Sequence, residues 1–154
     1  IAEKVTGEVP EIYSNEWMAR GTELEPAARS FYEFEKGVTV TECGFIKHDE
    51  YECGVSPDGL VGSNGGLEIK CPAPSTHVKY LRQGLLPSTY KAQVMGCLWI
   101  TGRGWWDFLS YHPSLPPFLI RVERDREYIK LLEAEVIKAV LIIEEESHNI
   151  EVLR

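Results

Sequence analysis

Two acidic residues and a lysine have a spacing that suits metal-assisted chemistry. Asp58 lies in a Pro-Asp-Gly segment; nine residues separate it from Glu68, and one residue separates Glu68 from Lys70. Side chains two apart in a strand share a face, so Glu68 and Lys70 point the same way while Ile69 points into the core. If Asp58 ends a neighbouring strand, its carboxylate converges on that of Glu68.

This arrangement predicts a site for a hard divalent cation. Carboxylate oxygens select Mg²⁺, with Mn²⁺ as a substitute, over soft metals, and the backbone carbonyl of Ile69 can add a further oxygen. Metal ions can neutralise an anionic phosphodiester, activate water and stabilise the departing oxyanion. A lysine can orient the attacking water and offset the charge that develops on the phosphoryl group.

Each of these residues also has a structural interpretation. Asp58 is a common residue in a Pro-Asp-Gly turn, and Glu68 and Lys70 could form a solvated strand face. The apolar alternation over 67–71 gives the opposite face a core to join, however. That alternation favours two charges held at a defined place.

The elements that must position these residues can be predicted from periodicity. Apolar residues at helical spacing predict helices over 15–36, 75–83, 88–100 and 125–146, with a break at Gly21 or Pro26 in the first. Alternating β-rich segments predict strands over 38–41, 43–46, 52–55, 60–61, 67–70, 105–111 and 118–122. The order of these elements predicts an α/β fold, with a central mixed sheet flanked by helices.

The composition is that of one ordinary globular domain. The 154 residues are 44% hydrophobic and 26% charged, which excludes a disordered or collagen-like chain. The apolar run 139–143 is too short to cross a bilayer. The formal net charge of −8 makes a poor starting case for nucleic-acid binding, because phosphate contacts require Lys and Arg.

The cysteines do not predict a metal or disulfide framework. No two of the four stand at a C-x2-C spacing, which argues against a zinc knuckle. We expect reduced side chains that serve as small apolar residues in a cytosolic protein. The four positions are Cys43, Cys53, Cys71 and Cys97.

Four segments together indicate a known family. They are the Arg-Gly-Thr-Glu-Leu-Glu-Pro run that opens 20–29, Ser-Pro-Asp-Gly-Leu at 56–60, Leu-Glu-Ile-Lys-Cys-Pro at 67–72, and Tyr-x-x-Gln-Val at 90–94. In this order they resemble the phage lambda exonuclease family, also called YqaJ-like viral recombinases, of the PD-(D/E)xK nuclease superfamily. The resemblance covers residues 1–145 and implies a restriction-endonuclease-like core.

The resemblance implies roles for the charged residues of the motifs. Asp58 and Glu68 match metal-binding acids, Lys70 matches a catalytic lysine, and Glu25 matches an acid on the first helix that completes the metal site. Together with the Ile69 carbonyl, these three acids would serve about two ions, which need about three carboxylates.

Glu25 has a structural alternative. Thr22-x-x-Glu25 also fits a capping box, in which Glu25 satisfies a backbone donor at a helix start. Pro26 suits a first turn better than a helix interior. Glu23 is the neighbouring candidate if the motif is shifted.

Further residues are expected to bind substrate. Tyr90 and Gln93 match a helical pair beside the family's metal site, and three-residue spacing puts them on one face. His77 has either a role near phosphate or a place on the surface. Basic residues could form a phosphate-binding rim or be ordinary surface charge, and they are Arg20, Arg29, Lys79, Arg82, Lys91 and Arg103.

The resemblance implies a Mg²⁺-dependent exonuclease of the bacterial cytoplasm, encoded by a phage or prophage. Such an enzyme degrades one strand of linear duplex DNA 5′→3′ and leaves 3′ tails for recombination. Its partners would be DNA ends, a phage single-strand annealing protein and copies of itself in a trimeric ring. An endonuclease on the same fold and a non-catalytic DNA-end-binding module are the alternatives.

Family members usually carry an N-terminal segment before the matched motifs, and this sequence, whose apolar pattern starts abruptly, does not show it. Either the chain has been trimmed or it is a shortened relative. We therefore expect 1–154 to be a single nuclease domain without that segment. An iron–sulfur branch of the superfamily is disfavoured, because the clustered C-terminal cysteines of that branch are missing.

Overall fold

Apart from a short additional helix near the start, the helices and strands follow one another in the order that the sequence predicts. The computed structural model describes residues 1–8 and 16–153. Its helices are α1 (Ala2–Thr6), α2 (Glu16–Lys36), α3 (Pro74–Gln83), α4 (Ser88–Thr101) and α5 (Arg126–Val152). Its strands are β1 (Val40–Thr41), β2 (Ile46–Lys47), β3 (Gly54–Val55), β4 (Gly59–Val61), β5 (Gly65–Lys70), β6 (Trp105–Ser110) and β7 (Phe118–Glu123).

A five-stranded mixed sheet forms the centre, in the order β1-β4-β5-β6-β7. β5 and β6 run parallel, and the other neighbouring pairs are antiparallel. The parallel pair is joined by a crossover through α3 and α4, as parallel strands require. β2 and β3 form a separate antiparallel pair. The predicted fold class is confirmed.

Helices cover both faces of β5. On one face, Ala28 and Tyr32 of α2 belong to the same buried cluster as Leu67 and Ile69. On the other face, residues of α4 and α5 pack around the fully buried ring of Trp106. Both faces of a central parallel strand are therefore buried, and the solvated strand face considered for Glu68 is wrong.

The first long helix differs from its prediction. α2 runs without interruption through Gly21 and Pro26, so neither residue breaks it. Thr22 lies inside this helix rather than at its start, and the capping-box interpretation of Glu25 is therefore wrong. Pro26 lies on the exposed face of α2. The buried residues Ala28 and Tyr32 lie on the opposite face and hold the helix against the sheet. Tertiary packing outweighs the local cost of the proline.

Near both ends of the chain the structure contains more helix than the sequence predicts. α1 occupies part of the segment before residue 15, and residues 9–15 lie outside the described part. α5 continues to Val152, beyond the predicted end at 146. Asp125 caps it by accepting a hydrogen bond from the backbone N–H of Tyr128.

Two observations concern the cysteines and membrane crossing. All four cysteines are free thiols, with Cys71 and Cys97 buried and Cys43 and Cys53 half-buried. Over residues 1–8 and 16–153, no helix combines the length and apolar composition that crossing a bilayer requires.

Candidate active site

The candidate site lies at the edge of β5 beyond Leu67, where the pairing of β5 with the antiparallel strand β4 ends. Asp58 immediately precedes β4, and its Oδ2 accepts a hydrogen bond of 2.6 Å from the backbone N–H of Ile69. The N–H and C=O of one strand residue point to the same side, so the Ile69 carbonyl also faces this edge. Because β4 begins only at Gly59, no β4 residue covers the edge there.

Glu68 places a carboxylate in a fully buried position at this edge. Its Oε1 accepts a hydrogen bond of 2.6 Å from Nε2 of Gln93 and also contacts Nζ of Lys70. Its Oε2 is buried and has no hydrogen-bond partner. Burial, reinforced by the nearby charge of Asp58, raises the pKa of Glu68 to about 7. Such an oxygen is costly to bury unless a cation or a proton compensates it.

Lys70 supplies the positive charge of the site. Burial of the ammonium opposes its charged form, but the carboxylates of Glu68, Asp58 and Glu25 outweigh that effect and raise the pKa of Lys70. Its Nζ also lies 5.4 Å from the ring centroid of Tyr90, on the face of the aromatic system. Lys70 is therefore protonated and held in place at neutral pH.

Glu25 approaches from the helix on the other face of the sheet. Its Oε1 accepts a hydrogen bond of 2.9 Å from Nη2 of Arg29, one turn later in α2. Partial burial and the charge of Asp58 raise the pKa of Glu25, while Arg29 and Lys70 oppose that rise. Glu25 is therefore close enough to Asp58 and Lys70 for their charges to act on it.

The residues at this edge fit a divalent cation. Within the described residues, no three Asp, Glu, His or Cys side chains form a ready metal cage. The unpartnered Oε2 of Glu68 is nonetheless a buried acceptor that a cation could satisfy. Burial, followed by the charge of Asp58, raises the pKa values of Glu68 and Glu25. An oxygen-only donor set of this kind suits Mg²⁺ or Mn²⁺.

The predicted substrate residues divide into two groups. Gln93 and Tyr90 lie beside Glu68 and Lys70. Arg29 forms ion pairs of 2.9 Å with both Glu25 and Glu42. Whether Gln93, Tyr90 and Arg29 bind substrate stays a prediction.

His77 is fully buried, so its expected place on the surface is wrong. Its Nε2 donates to the carbonyl of Pro116 at 2.8 Å, because that oxygen can only accept. Its Nδ1 lies 2.7 Å from Oγ of Ser110. Both ring nitrogens therefore bind the protein itself, and a role at phosphate stays a prediction without a free ring nitrogen to support it.

The basic residues proposed as a rim are distributed over the molecule. Arg103 donates from Nη1 to the carbonyls of Gly62 and Gly65, at the end of β5 away from Lys70. Lys91 pairs with Asp125 at 3.4 Å, on another part of the surface. Lys79 and Arg82 line a groove of about 390 Å³ along α3. Because Arg103 binds the carbonyls of Gly62 and Gly65, it stabilises the β4–β5 turn.

The sequence reasoning missed a second polar cluster, on the α2 face of the sheet. Asp107 is 1% exposed and accepts hydrogen bonds from the Tyr32 hydroxyl and the Arg121 guanidinium. A single Asp inside the apolar strand β6 was the available signal, since a buried carboxylate requires partners. The partners lie far away in sequence and could not be identified from spacing.

Comparison with solved structures identifies the fold. The alkaline exonuclease LHK-Exo from Laribacter hongkongensis superposes with a TM-score of 0.90 at 42% identity, over 97% of this chain and 78% of that chain. The structure of LHK-Exo in complex with dAMP superposes with a TM-score of 0.91 at 41% identity, over the same shares of the two chains. A phage-related exonuclease from Haemophilus somnus 129PT shares the fold at 16% identity, with a TM-score of 0.71 over 99% of this chain and 79% of that chain.

Comparison with curated protein sequences gives no match. The architecture is nevertheless that of the alkaline exonucleases, because the fold superposes closely over 97% of this chain. Residues 1–104 match the YqaJ-like viral recombinase domain. The chain belongs to this family, and the resemblance predicted from the four segments is confirmed.

Proposed function

We propose that the protein is a Mg²⁺-dependent DNA exonuclease, with Mn²⁺ as a substitute ion. The observation that carries this proposal is the open edge of β5, where Glu68 contacts Lys70 through Oε1 and keeps a buried Oε2 without a partner. The charge of Asp58 acts on both Glu68 and Lys70. The kinship with alkaline exonucleases supports DNA as the substrate.

Four groups would hold the metal: the carboxylates of Asp58, Glu68 and Glu25 and the carbonyl of Ile69. When bound, the metal supplies charge neutralisation at the scissile phosphate and acidifies water. The Ile69 N–H fixes the Asp58 carboxylate at 2.6 Å. Fixed ligands need no reorganisation during the reaction, which favours catalysis.

Lys70 and Gln93 have roles of their own. The Lys70 ammonium is positioned to stabilise negative charge on the phosphoryl oxygens and to orient the attacking water. Gln93 orients the Glu68 carboxylate through its 2.6 Å hydrogen bond. Tyr90 packs beside Lys70 and limits where its ammonium can lie.

The direction and context of degradation belong to the same proposal. We infer 5′→3′ removal of one strand from duplex ends, leaving 3′ tails for phage-type recombination in the bacterial cytoplasm. The dAMP bound to LHK-Exo supports a site that accommodates a mononucleotide, the product of end-wise cleavage. A phage single-strand annealing protein and a trimeric ring of this chain are the proposed partners.

End dependence can be tested directly. Purified protein is incubated with linear duplex labelled at the 5′ or the 3′ end and with closed circular duplex, in Mg²⁺ or in EDTA. We expect Mg²⁺-dependent loss of linear DNA, immediate release of the 5′ label and intact circles. Equal cutting of closed circles would instead identify an endonuclease, and binding to ends without cutting would identify a non-catalytic module.

The site assignment can be tested by substitution. We expect Asp58→Asn and Lys70→Ala each to lower the cleavage rate by at least about 100-fold. The first change removes a metal-binding carboxylate, and the second removes the ammonium that would stabilise charge on the phosphoryl group. Lys138→Ala is the matched control, since Lys138 is exposed on α5 and pairs only loosely with Glu135 at 3.9 Å. Full activity in both site variants would contradict the assignment.

A further inference from the structure

A polar network centred on the buried Asp107 links α2 to the sheet. The Tyr32 hydroxyl donates to Oδ2 of Asp107 at 2.8 Å, and both residues are only 1% exposed. Arg121 donates to both Asp107 oxygens, from Nε at 2.8 Å and from Nη2 at 2.9 Å. Its guanidinium lies 3.6 Å from the Trp105 ring centroid. Asp107 is thus a charge-compensated acceptor in a fixed position.

The same face of α2 carries Glu25. Residues 25, 28 and 32 follow one another at helical spacing, so their side chains lie in one row. Ala28 is fully buried, and its small side chain lets the helix lie close to the sheet. Glu25 lies two helical turns from Tyr32 in α2. The distance of α2 from the sheet and its rotation at Tyr32 therefore determine the position of the Glu25 carboxylate.

Glu25 has no comparable anchor of its own among the described contacts. Its hydrogen-bond partner is Arg29 of the same helix, which cannot fix the helix against the sheet. Arg29 is itself 14% exposed and pairs in turn with Glu42, whose side chain is 71% exposed and therefore gives a solvent-screened anchor. The residue after Glu25 is Pro26, which has no amide proton to donate within the helix.

We propose that Tyr32, held by Asp107 and Arg121, is the positioning residue for the third metal-binding carboxylate, Glu25. This inference rests on the proposed function, in which Glu25 is a metal ligand. Ligand distances in a metal site tolerate only about 0.2 Å of error. A helix that moves relative to the sheet would therefore weaken metal binding before it unfolds the protein.

The test is a double-mutant cycle on metal affinity. Tyr32→Phe removes one hydroxyl and keeps the ring, and Mn²⁺ binding to the metal-free protein is followed by electron paramagnetic resonance. We expect binding to weaken about two- to tenfold, the equivalent of one net hydrogen bond. In a Glu25→Gln background the same substitution should produce no further weakening, because the group that Tyr32 positions is gone.

Two further readouts separate positioning from general loosening. Far-UV circular dichroism of Tyr32→Phe should match the wild type. The Mg²⁺ concentration for half-maximal cleavage should rise by the same factor as the Mn²⁺ dissociation constant, while activity at saturating Mg²⁺ is retained. A merely structural role would lower the melting temperature without this selective shift.

The outcomes are distinguishable. If Tyr32→Phe leaves Mn²⁺ affinity unchanged, or weakens it equally in the Glu25→Gln background, the positioning role is overturned while the proposed function stands. If the wild type binds no Mn²⁺, the proposed metal site fails, and this inference fails with it.

Discussion

At the scale of single residues, Glu68 is the most constrained group of the site. Its Oε1 is held by Gln93 and Lys70, whereas its buried Oε2 has no partner. Burial raises its pKa from the usual 4.5 to about 7, so a proton and a metal ion compete for the same carboxylate near neutral pH. The protonation state of this residue should be visible in the stability of the whole protein.

We predict that Mg²⁺ stabilises the protein more at about pH 8 than at about pH 6. A carboxyl whose pKa is raised by folding stabilises the metal-free fold while it is protonated, and that stability is lost as pH rises from 4.5 through about 7. Mg²⁺ then compensates a charge that is fully formed only above that range. Melting temperatures in EDTA and in Mg²⁺ at both pH values measure the difference.

Glu68→Gln provides the control for this prediction, since an amide does not titrate. In that variant the Mg²⁺-induced rise in melting temperature should be small and independent of pH. A wild-type rise that is equal at the two pH values would show that Glu68 does not compete with the metal for a proton.

At the scale of elements, β5 is positioned by its contact with β6. Gly65 and Gly66 begin β5 opposite Trp105 and Trp106 in the parallel register. A Cβ added to Gly66 would overlap the Trp106 ring, which is fully buried. The glycines let two large rings lie against the strand that carries Glu68 and Lys70. This close packing fixes the position of β5 relative to β6, and with it the position of the two site residues.

We predict that Gly66→Ala lowers the free energy of unfolding by about 1–3 kcal/mol, the typical cost of overpacking a dense core. Gly96→Ala is the matched control, because the nearest atom to its added Cβ is 3.9 Å away. In helix α4 that change should be neutral or stabilising by up to about 1 kcal/mol. Urea unfolding of both variants measures the contrast, and equal effects would contradict the packing argument.

At the scale of the whole molecule, the net charge of −8 is unevenly distributed. Glu25, Asp58 and Glu68 belong to the candidate metal site, where bound cations would compensate them. Another group of acids lies on α5, which packs on α4 rather than along the open edge of β5, and these are Glu133, Glu135, Glu144, Glu145 and Glu146. The acidic composition is therefore compatible with a DNA-binding edge.

We predict that the metal ion strengthens DNA binding. Lys70→Ala keeps the DNA uncut, so its affinity for duplex ends can be measured in Mg²⁺ and in EDTA by fluorescence anisotropy. Binding should be weak in EDTA, strengthen with Mg²⁺, and fall steeply with added salt, because phosphate contacts release counterions. Equal affinity in EDTA and Mg²⁺ would show that repulsion by the site acids does not limit binding.

The sequence by itself determined which residues share a face and which family the chain resembles. The spacing of Glu68 and Lys70 is read correctly from strand alternation, because that period is a local property of the backbone. Helices α3 and α4 and strands β6 and β7 are likewise close to their predicted bounds. Local periodicity and motif order were sufficient for these features.

Only the tertiary structure decided what covers each face. Glu68 is buried rather than solvated because α4 packs over β5, and His77 is buried because the loop at Pro116 closes on it. The contact of Tyr32 with Asp107 joins residues 75 positions apart. Such contacts depend on how the crossover brings distant segments together, and no local pattern in the sequence encodes that arrangement.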